Sequence, residues 1–204
     1  MYQNDAQKVL TNEVRLSYCN LIQPRAAMNG QGDPKYSVTL LIPKSDYATK
    51  ADIDQSIEAA AREATAKIWG GVRPQFASVV WDGDGVRKNG MPFGPECKGH
   101  WVLTASTKQK PQVVGADNIN VELAPQDIYS GMYARVTLRF YGFNSNGNRG
   151  VGCGLGNVMK TRDGEALAGG ASAASDFAGV GNSVVPPVDP VTGRAINPIT
   201  GQPM

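Results

Sequence analysis

The stretch 133–143, YARVTLRFYGF, constrains the fold of this 204-residue chain more than any other. Successive strand side chains point to opposite faces. Ala134, Val136, Leu138 and Phe140 therefore share one apolar face, and Tyr133, Arg135, Thr137, Arg139, Tyr141 and Phe143 share the other. A strand patterned this way needs a core beneath it and neighbours beside it, so the chain must build a sheet.

Four more segments read as strands. Residues 14–22 (VRLSYCNLI) alternate and end at Gln23-Pro24, and residues 36–42 (YSVTLLI) end at Pro43. The turn-rich link at 29–34 suggests that these two form a hairpin. Residues 101–107 and 150–160 complete the set. One helix is expected, opened by a T-x-x-D capping box at Thr49 and Asp52. Its stripe of Ile53, Ile57, Ala60, Ala61, Ala64 and Ile68 faces the sheet, and Gly70-Gly71 closes it. Residues 72–100, rich in Gly and Pro, read as extended loop with short strands at best. Five strands and one helix within ~160 residues fit a mainly β chain, a small five-stranded barrel with an inserted helix.

Composition changes near residue 169. The last 36 residues hold 6 Gly, 5 Pro, one aromatic (Phe177) and three charges (Asp176, Asp189, Arg194). Such a segment buries too little apolar surface to offset its chain entropy. The expected organisation is a folded domain over 1–168 and a flexible tail over 169–204, with Asp176-Phe177 docking near the tail's start.

The outward face of 133–143 carries the chemistry. Aromatic rings stack on bases, and arginine neutralises phosphate or stacks as a planar cation. The other reading is an aromatic face covered by the helix or by the 72–100 loops. Net charge is only +2, yet between Ile128 and Arg162 the chain has Arg135, Arg139, Arg149, Lys160 and Arg162 and no Asp or Glu. Asp46, Asp52, Asp54, Glu58 and Glu63 gather around the helix instead. A nearly neutral chain can thus carry one basic groove. The nucleic-acid-binding candidates are Arg15, Lys108, Lys110, Tyr133, Arg135, Arg139, Tyr141, Phe143 and Arg149. Lys35 and Lys44 bracket the second strand, and Trp81 lies in the loops beside Arg87 and Lys88. Gly150, Gly152, Gly154 and Gly156 bare one face of the last strand. That permits close approach of nucleic acid or a neighbouring segment, or sharp barrel curvature.

Enzyme chemistry is poorly represented. There is one His, His100, with no G-x-S-x-G and no Walker A motif. Asp82-Gly83-Asp84-Gly85 resembles the start of a calcium loop, but Val86 and Arg87 stand where its later ligand and glycine belong, so a tight turn fits better. Cys97-x-x-His100 with Cys19 and Cys153 gives one ligand-like spacing only. No catalytic residue, metal or cofactor is expected. Three cysteines suit a reducing compartment. No leader-like segment and no stretch long enough to cross a bilayer is visible, so no membrane association is expected.

The order of several segments resembles a known family. They are residues 11–25 (TNEVRLSYCNLIQPR), 35–46 (KYSVTLLIPKSD), the helix ending Trp69-Gly70-Gly71, Asp82-Gly83-Asp84, 129–133 (YSGMY), 140–143 (FYGF) and 162–167 (RDGEAL). Together, over residues 9–178, they resemble the bacteriophage single-stranded DNA-binding proteins long filed as a domain of unknown function. That family is similar in architecture to the T7-type single-stranded DNA-binding protein. The resemblance implies an OB-fold barrel that coats single-stranded DNA during phage replication or recombination, inside the host bacterium. It is compatible with replication or recombination enzymes as partners and leaves homo-oligomerisation open. The tail's two acids, Asp176 and Asp189, depart from the acidic tails of many such proteins and count against recruitment by tail charge. The competing expectation is a virion or assembly protein without DNA-binding activity, which Gly-rich loops and a Pro/Gly tail would also suit.

Overall fold

The computed structural model describes residues 2–26, 33–145 and 147–167. The expected tail at 169–204, with its Asp176-Phe177 docking segment, lies outside them, as does most of the 29–34 turn. Along the chain run β1 (Lys8–Leu10), β2 (Val14–Arg25), β3 (Lys35–Pro43), α1 (Tyr47–Lys67), β4 (Val80–Asp82), β5 (His100–Thr107), β6 (Val113–Gly115), β7 (Tyr133–Ser145) and β8 (Asn148–Arg162). The five expected strands are β2, β3, β5, β7 and β8. Three more, β1, β4 and β6, are three residues each, too short to leave an alternation signal.

Hydrogen bonds link the strands in the order β1-β7-β2-β3-β5-β8-β6, with β4 on β5, and β7 also pairs with β8. Strands β7, β2, β3, β5 and β8 therefore close into a ring. Pairing is antiparallel except where β8 meets β5 and β6.

Two expected strand ends are overrun. Proline lacks the ladder donor and is tolerated at irregular or terminal positions. The β2–β3 register is irregular between Asn20 and Arg25, so Pro24 sits inside β2, and Pro43 is the last residue of β3.

The ring encloses the core. Ala134, Val136, Leu138 and Phe140, the apolar face of β7, are all buried, against Leu16, Leu40, Ile42, Leu103 and Val158. Cys19, Cys97 and Cys153 are free thiols. Burial pushes Cys19 up to about 12 and Cys97 up to about 11, and it raises Cys153 as well.

Helix α1 covers part of the ring, with one correction at each end. The N-cap is Asp46, whose carboxylate accepts the Thr49 N–H at 3.1 Å and the Asn12 Nδ2–H at 2.9 Å. An Asp N-cap satisfies one of the helix's unpaired amides. Thr49 is thereby placed within the first turn, where its buried hydroxyl accepts the Asn12 N–H at 3.0 Å. At the other end Ile68 is exposed and Trp69 takes its place in the core, its Nε1–H on the Phe143 carbonyl at 2.9 Å. Gly70 (φ +69°) and Gly71 (φ +83°) end the helix in the left-handed region, as the sequence indicated. The helix approaches β7 closely at Gly142, where a Cβ would collide with Ala64.

Candidate nucleic-acid interface

In the β7–β8 ladder Phe143 lies opposite Gly150, Tyr141 opposite Gly152 and Arg139 opposite Gly154. The bare glycine face is covered by these neighbours. A Cβ at Gly152 would lie 2.8 Å from the Tyr141 ring, and one at Gly150 would lie 3.0 Å from the Phe143 ring and 3.6 Å from Phe76. The glycines thus seat a row of β7 side chains. Tyr141 keeps its outer side open, 42% exposed, whereas Phe143 is half-buried.

The nine candidates separate by what holds them. Arg15 donates to the Glu165 carbonyl at 2.7 Å, and Arg135 donates to the Thr11 carbonyl at 3.0 Å. The half-buried Tyr133 ring faces the Arg162 guanidinium at 3.4 Å, and Arg162 pairs with Glu13 at 2.9 Å. Hydrogen bonds from Thr161 and Arg162 hold the Glu13 carboxyl below its usual range. Lys110 pairs with Glu122 at 3.4 Å, and Arg149 is exposed opposite Asn144 at the β7–β8 turn. None of Arg15, Lys110, Tyr133, Arg135, Phe143 or Arg149 lines either of the two grooves described next.

Lys108, Arg139 and Tyr141 do come together. They line a groove of about 490 Å³ with Lys8 and Lys35, the hydroxyls of Ser106 and Thr137, and the backbone of Gly154 and Gly156. Four cations and no carboxylate are in this lining. Two acids pair with its cations, Asp33 with Lys108 at 2.5 Å and Asp5 with Arg139 at 3.2 Å, and Glu63 of α1 also lies near Arg139. The Lys108 ammonium donates to Asp33 and holds that carboxyl below its usual range.

A second groove, about 450 Å³, was not assembled by sequence reasoning. It is walled by the rings of Tyr18, Trp81 and Phe93 with Arg87 and Lys88, over a floor that includes Thr39, Val102 and Thr104. Trp81 and Phe93 pack against the small cluster of Leu41, Cys97 and Val102, and Arg87 lies 5.2 Å from the centroid of the Phe93 ring. Tyr18 is different. It sits at a register break in β2 with φ +48° and is 56% exposed. A bulky residue in the left-handed region is a strained outlier that surrounding contacts must hold. Those contacts are the Ser130 hydroxyl accepting the Cys19 N–H at 3.0 Å, and Asn20 Nδ2 donating to the Tyr18 carbonyl at 3.1 Å. In the sequence Tyr18 falls in phase with Val14 and Leu16, so the alternation of 14–22 carries no signal that it turns outward at this groove.

The two grooves share one sheet face. Thr39 pairs with Thr104, and Ser37 with Ser106. Thr104 floors the ring groove and Ser106 lines the cationic one. Two residues along a strand span about 7 Å, so the grooves join across a strip of hydroxyls.

The acidic turn has another role. Asp82 and Asp84 clasp Lys44 at 2.5 and 2.7 Å, and Asp84 also accepts the Gly99 N–H at 2.9 Å. Hydrogen bonds from Lys44 hold both carboxyls below their usual range. Among the described residues no group of three or more His, Cys, Asp or Glu side chains is placed to hold a metal ion. No helix among them is long and apolar enough to cross a membrane.

A mainly β protein whose sheet face carries a groove of rings beside a groove of cations has the make-up of a nucleic-acid-binding module. Residues 7–184 match the family described as "Enterobacter phage Enc34, ssDNA-binding protein", and the chain belongs to that family. A curated relative, protein p50 of Acyrthosiphon pisum secondary endosymbiont phage 1, is 33% identical over 175 residues, 80% of this chain and 88% of the relative. The solved single-stranded DNA-binding protein of bacteriophage Enc34, in complex with ssDNA, superposes with a TM-score of 0.67 at 27% identity, covering 80% of this chain and 90% of that one. The gp2.5 single-stranded DNA-binding protein of bacteriophage T7 shares the fold: TM-score 0.54 at 14% identity, over 83% of this chain and 93% of that one. The resemblance seen in the sequence is therefore correct, and membership of a family of DNA-binding proteins agrees with the expectation of a non-enzymatic chain.

Proposed function

We propose that the protein binds single-stranded DNA without regard to sequence, along an outer face that runs from β2, β3 and β4 across β5 to β7 and β1. Bases stack on Tyr18, Trp81 and Phe93 and on the open side of Tyr141. Phosphates meet Lys8, Lys35, Lys108 and Arg139. Stacking tolerates every base, because each has a π-face. The closed ring of β2, β3, β5, β8 and β7 is read as the OB-type barrel that the sequence suggested, and the folded unit as residues 1–168 followed by a tail. The physiological reading is protection of single strands during phage replication or recombination within the host cell.

The observation that carries this is the joining of an aromatic groove to a cationic one on a single sheet face. The test is fluorescence anisotropy of a labelled oligo-dT titrated with the full chain over a salt series. Four phosphate contacts set a ceiling of about −3 on the log K against log salt slope, at about −0.7 per contact on single strands. Absence of binding at low salt refutes the function. Binding that ignores salt refutes the role given to the cationic groove.

A further inference from the structure

The cationic groove is already partly occupied by the protein itself. The segment just before β1 folds back as a compact turn. The Tyr2 N–H donates to the Lys8 carbonyl at 3.0 Å, and the Lys8 N–H donates to the Asp5 carbonyl at 3.1 Å. Gln3 and Asn4 both adopt the left-handed region, at φ +53° and +58°, where residues other than glycine are uncommon. Close contacts must hold such a turn, and two of them fall on groove cations. The Asp5 carboxylate lies 3.2 Å from the Arg139 guanidinium. The Lys8 ammonium donates to the Gln3 side-chain carbonyl at 2.5 Å and lies 5.4 Å from the Tyr2 ring centroid. Lys8 and Arg139 are themselves paired across β1 and β7, so one turn covers two adjacent cations of the four in the lining.

We infer that this turn is an internal stand-in for nucleic acid: Asp5 takes the place of a phosphate on Arg139, and Tyr2 with Gln3 holds Lys8. The inference rests on the single-strand reading of the cationic groove and adds regulation to it. An incoming strand must displace Asp5 before Arg139 is free, so affinity and salt response are lower than the cation count implies. A carboxylate and a phosphate oxygen are both anionic acceptors that arginine binds through charge-assisted hydrogen bonds, which makes the exchange direct. The turn is also the natural point of control. Any partner or modification that draws residues 2–7 away would strengthen binding without touching the DNA face.

The experiment is Asp5→Asn in the full chain. Asparagine retains an oxygen acceptor for the Gln7 N–H, which Asp5 Oδ1 accepts at 2.9 Å, but it loses the charge on Arg139. Affinity for oligo-dT at low salt should rise about two- to fivefold, the range set by one exposed ion pair. The salt slope should steepen by up to about 0.7. In an Arg139→Ala background the same substitution should give no gain. Unchanged affinity in Asp5→Asn, or an equal gain in the Arg139→Ala background, overturns the inference while wild-type binding stands. Failure of the wild type and of both variants to bind oligo-dT sinks the single-strand reading itself.

Discussion

Replacing Tyr18 with glycine separates two quantities that most groove substitutions confound. The left-handed backbone costs an L-residue with a Cβ about 1–2 kcal/mol, and glycine nothing. Glycine loses more chain entropy on folding, about 0.5–1 kcal/mol. The ring is 56% exposed, so little burial is forfeited. Stability of Tyr18→Gly should therefore be unchanged or higher by up to about 1.5 kcal/mol, a rise in Tm of no more than about 6 °C for a body of this size. Binding should move the other way. Loss of one stacking ring weakens binding by about 1–3 kcal/mol, or about 5- to 160-fold in Kd. Calorimetry and oligo-dT anisotropy on the same preparation give both numbers. Affinity at the wild-type level in a stable variant would remove Tyr18 from the interface. A marked drop in Tm would show that the strain argument is wrong.

Three other outcomes are expected. Gly142→Val should destabilise by about 1–3 kcal/mol in urea, because its side chain must displace Ala64 from the helix–strand contact. Arg139→Ala should flatten the salt slope for oligo-dT by up to about 0.7 in the Asp5→Asn background, and by less where Asp5 is present, with no change of circular dichroism. Glu13, held below its usual range by Thr161 and Arg162, lends stability that is complete above its unfolded value near about 4.3 and is lost as pH falls through the lower folded value. A Glu13→Gln variant should accordingly show a shallower fall of Tm than wild type on acidification from neutral pH. Parallel curves would mean that the Glu13–Arg162 pair contributes nothing to stability.

The fold was legible where one strand carries its own pattern. Alternation in 133–143 placed Ala134, Val136, Leu138 and Phe140 in the core, and all four are buried. The helix register was legible too, except at its rims, where Asp46 caps in place of Thr49 and Trp69 is buried in place of Ile68. The interface was legible only in part. Alternation reveals that Arg135 and Arg15 leave the core, but not that backbone carbonyls of Thr11 and Glu165 await them. Those carbonyls lie more than a hundred residues away in sequence. The ring groove is still less local. Its walls come from a bulge in β2, from β4 and from the loop after it, and only the β3–β5 pairing brings a floor beneath them. Composition hinted at Trp81 near Arg87 and Lys88, but no window of sequence contains Tyr18 and Phe93 together.

Closure of the ring has a consequence for the chain as it is made. Val14 pairs with Ala134, so the first long strand lacks one neighbour until about 120 further residues exist. At about 5–20 residues per second, that wait is about 6–24 s. During it the β2–β3 hairpin exposes Leu16, Leu40 and Ile42 with neither β7 nor β8 to cover them. Helix α1 and β5 follow first, and they are the segments available to shield that apolar face on the ribosome. Substitutions that weaken α1 should thus lower the yield of folded protein during synthesis more than they lower the stability of the finished molecule.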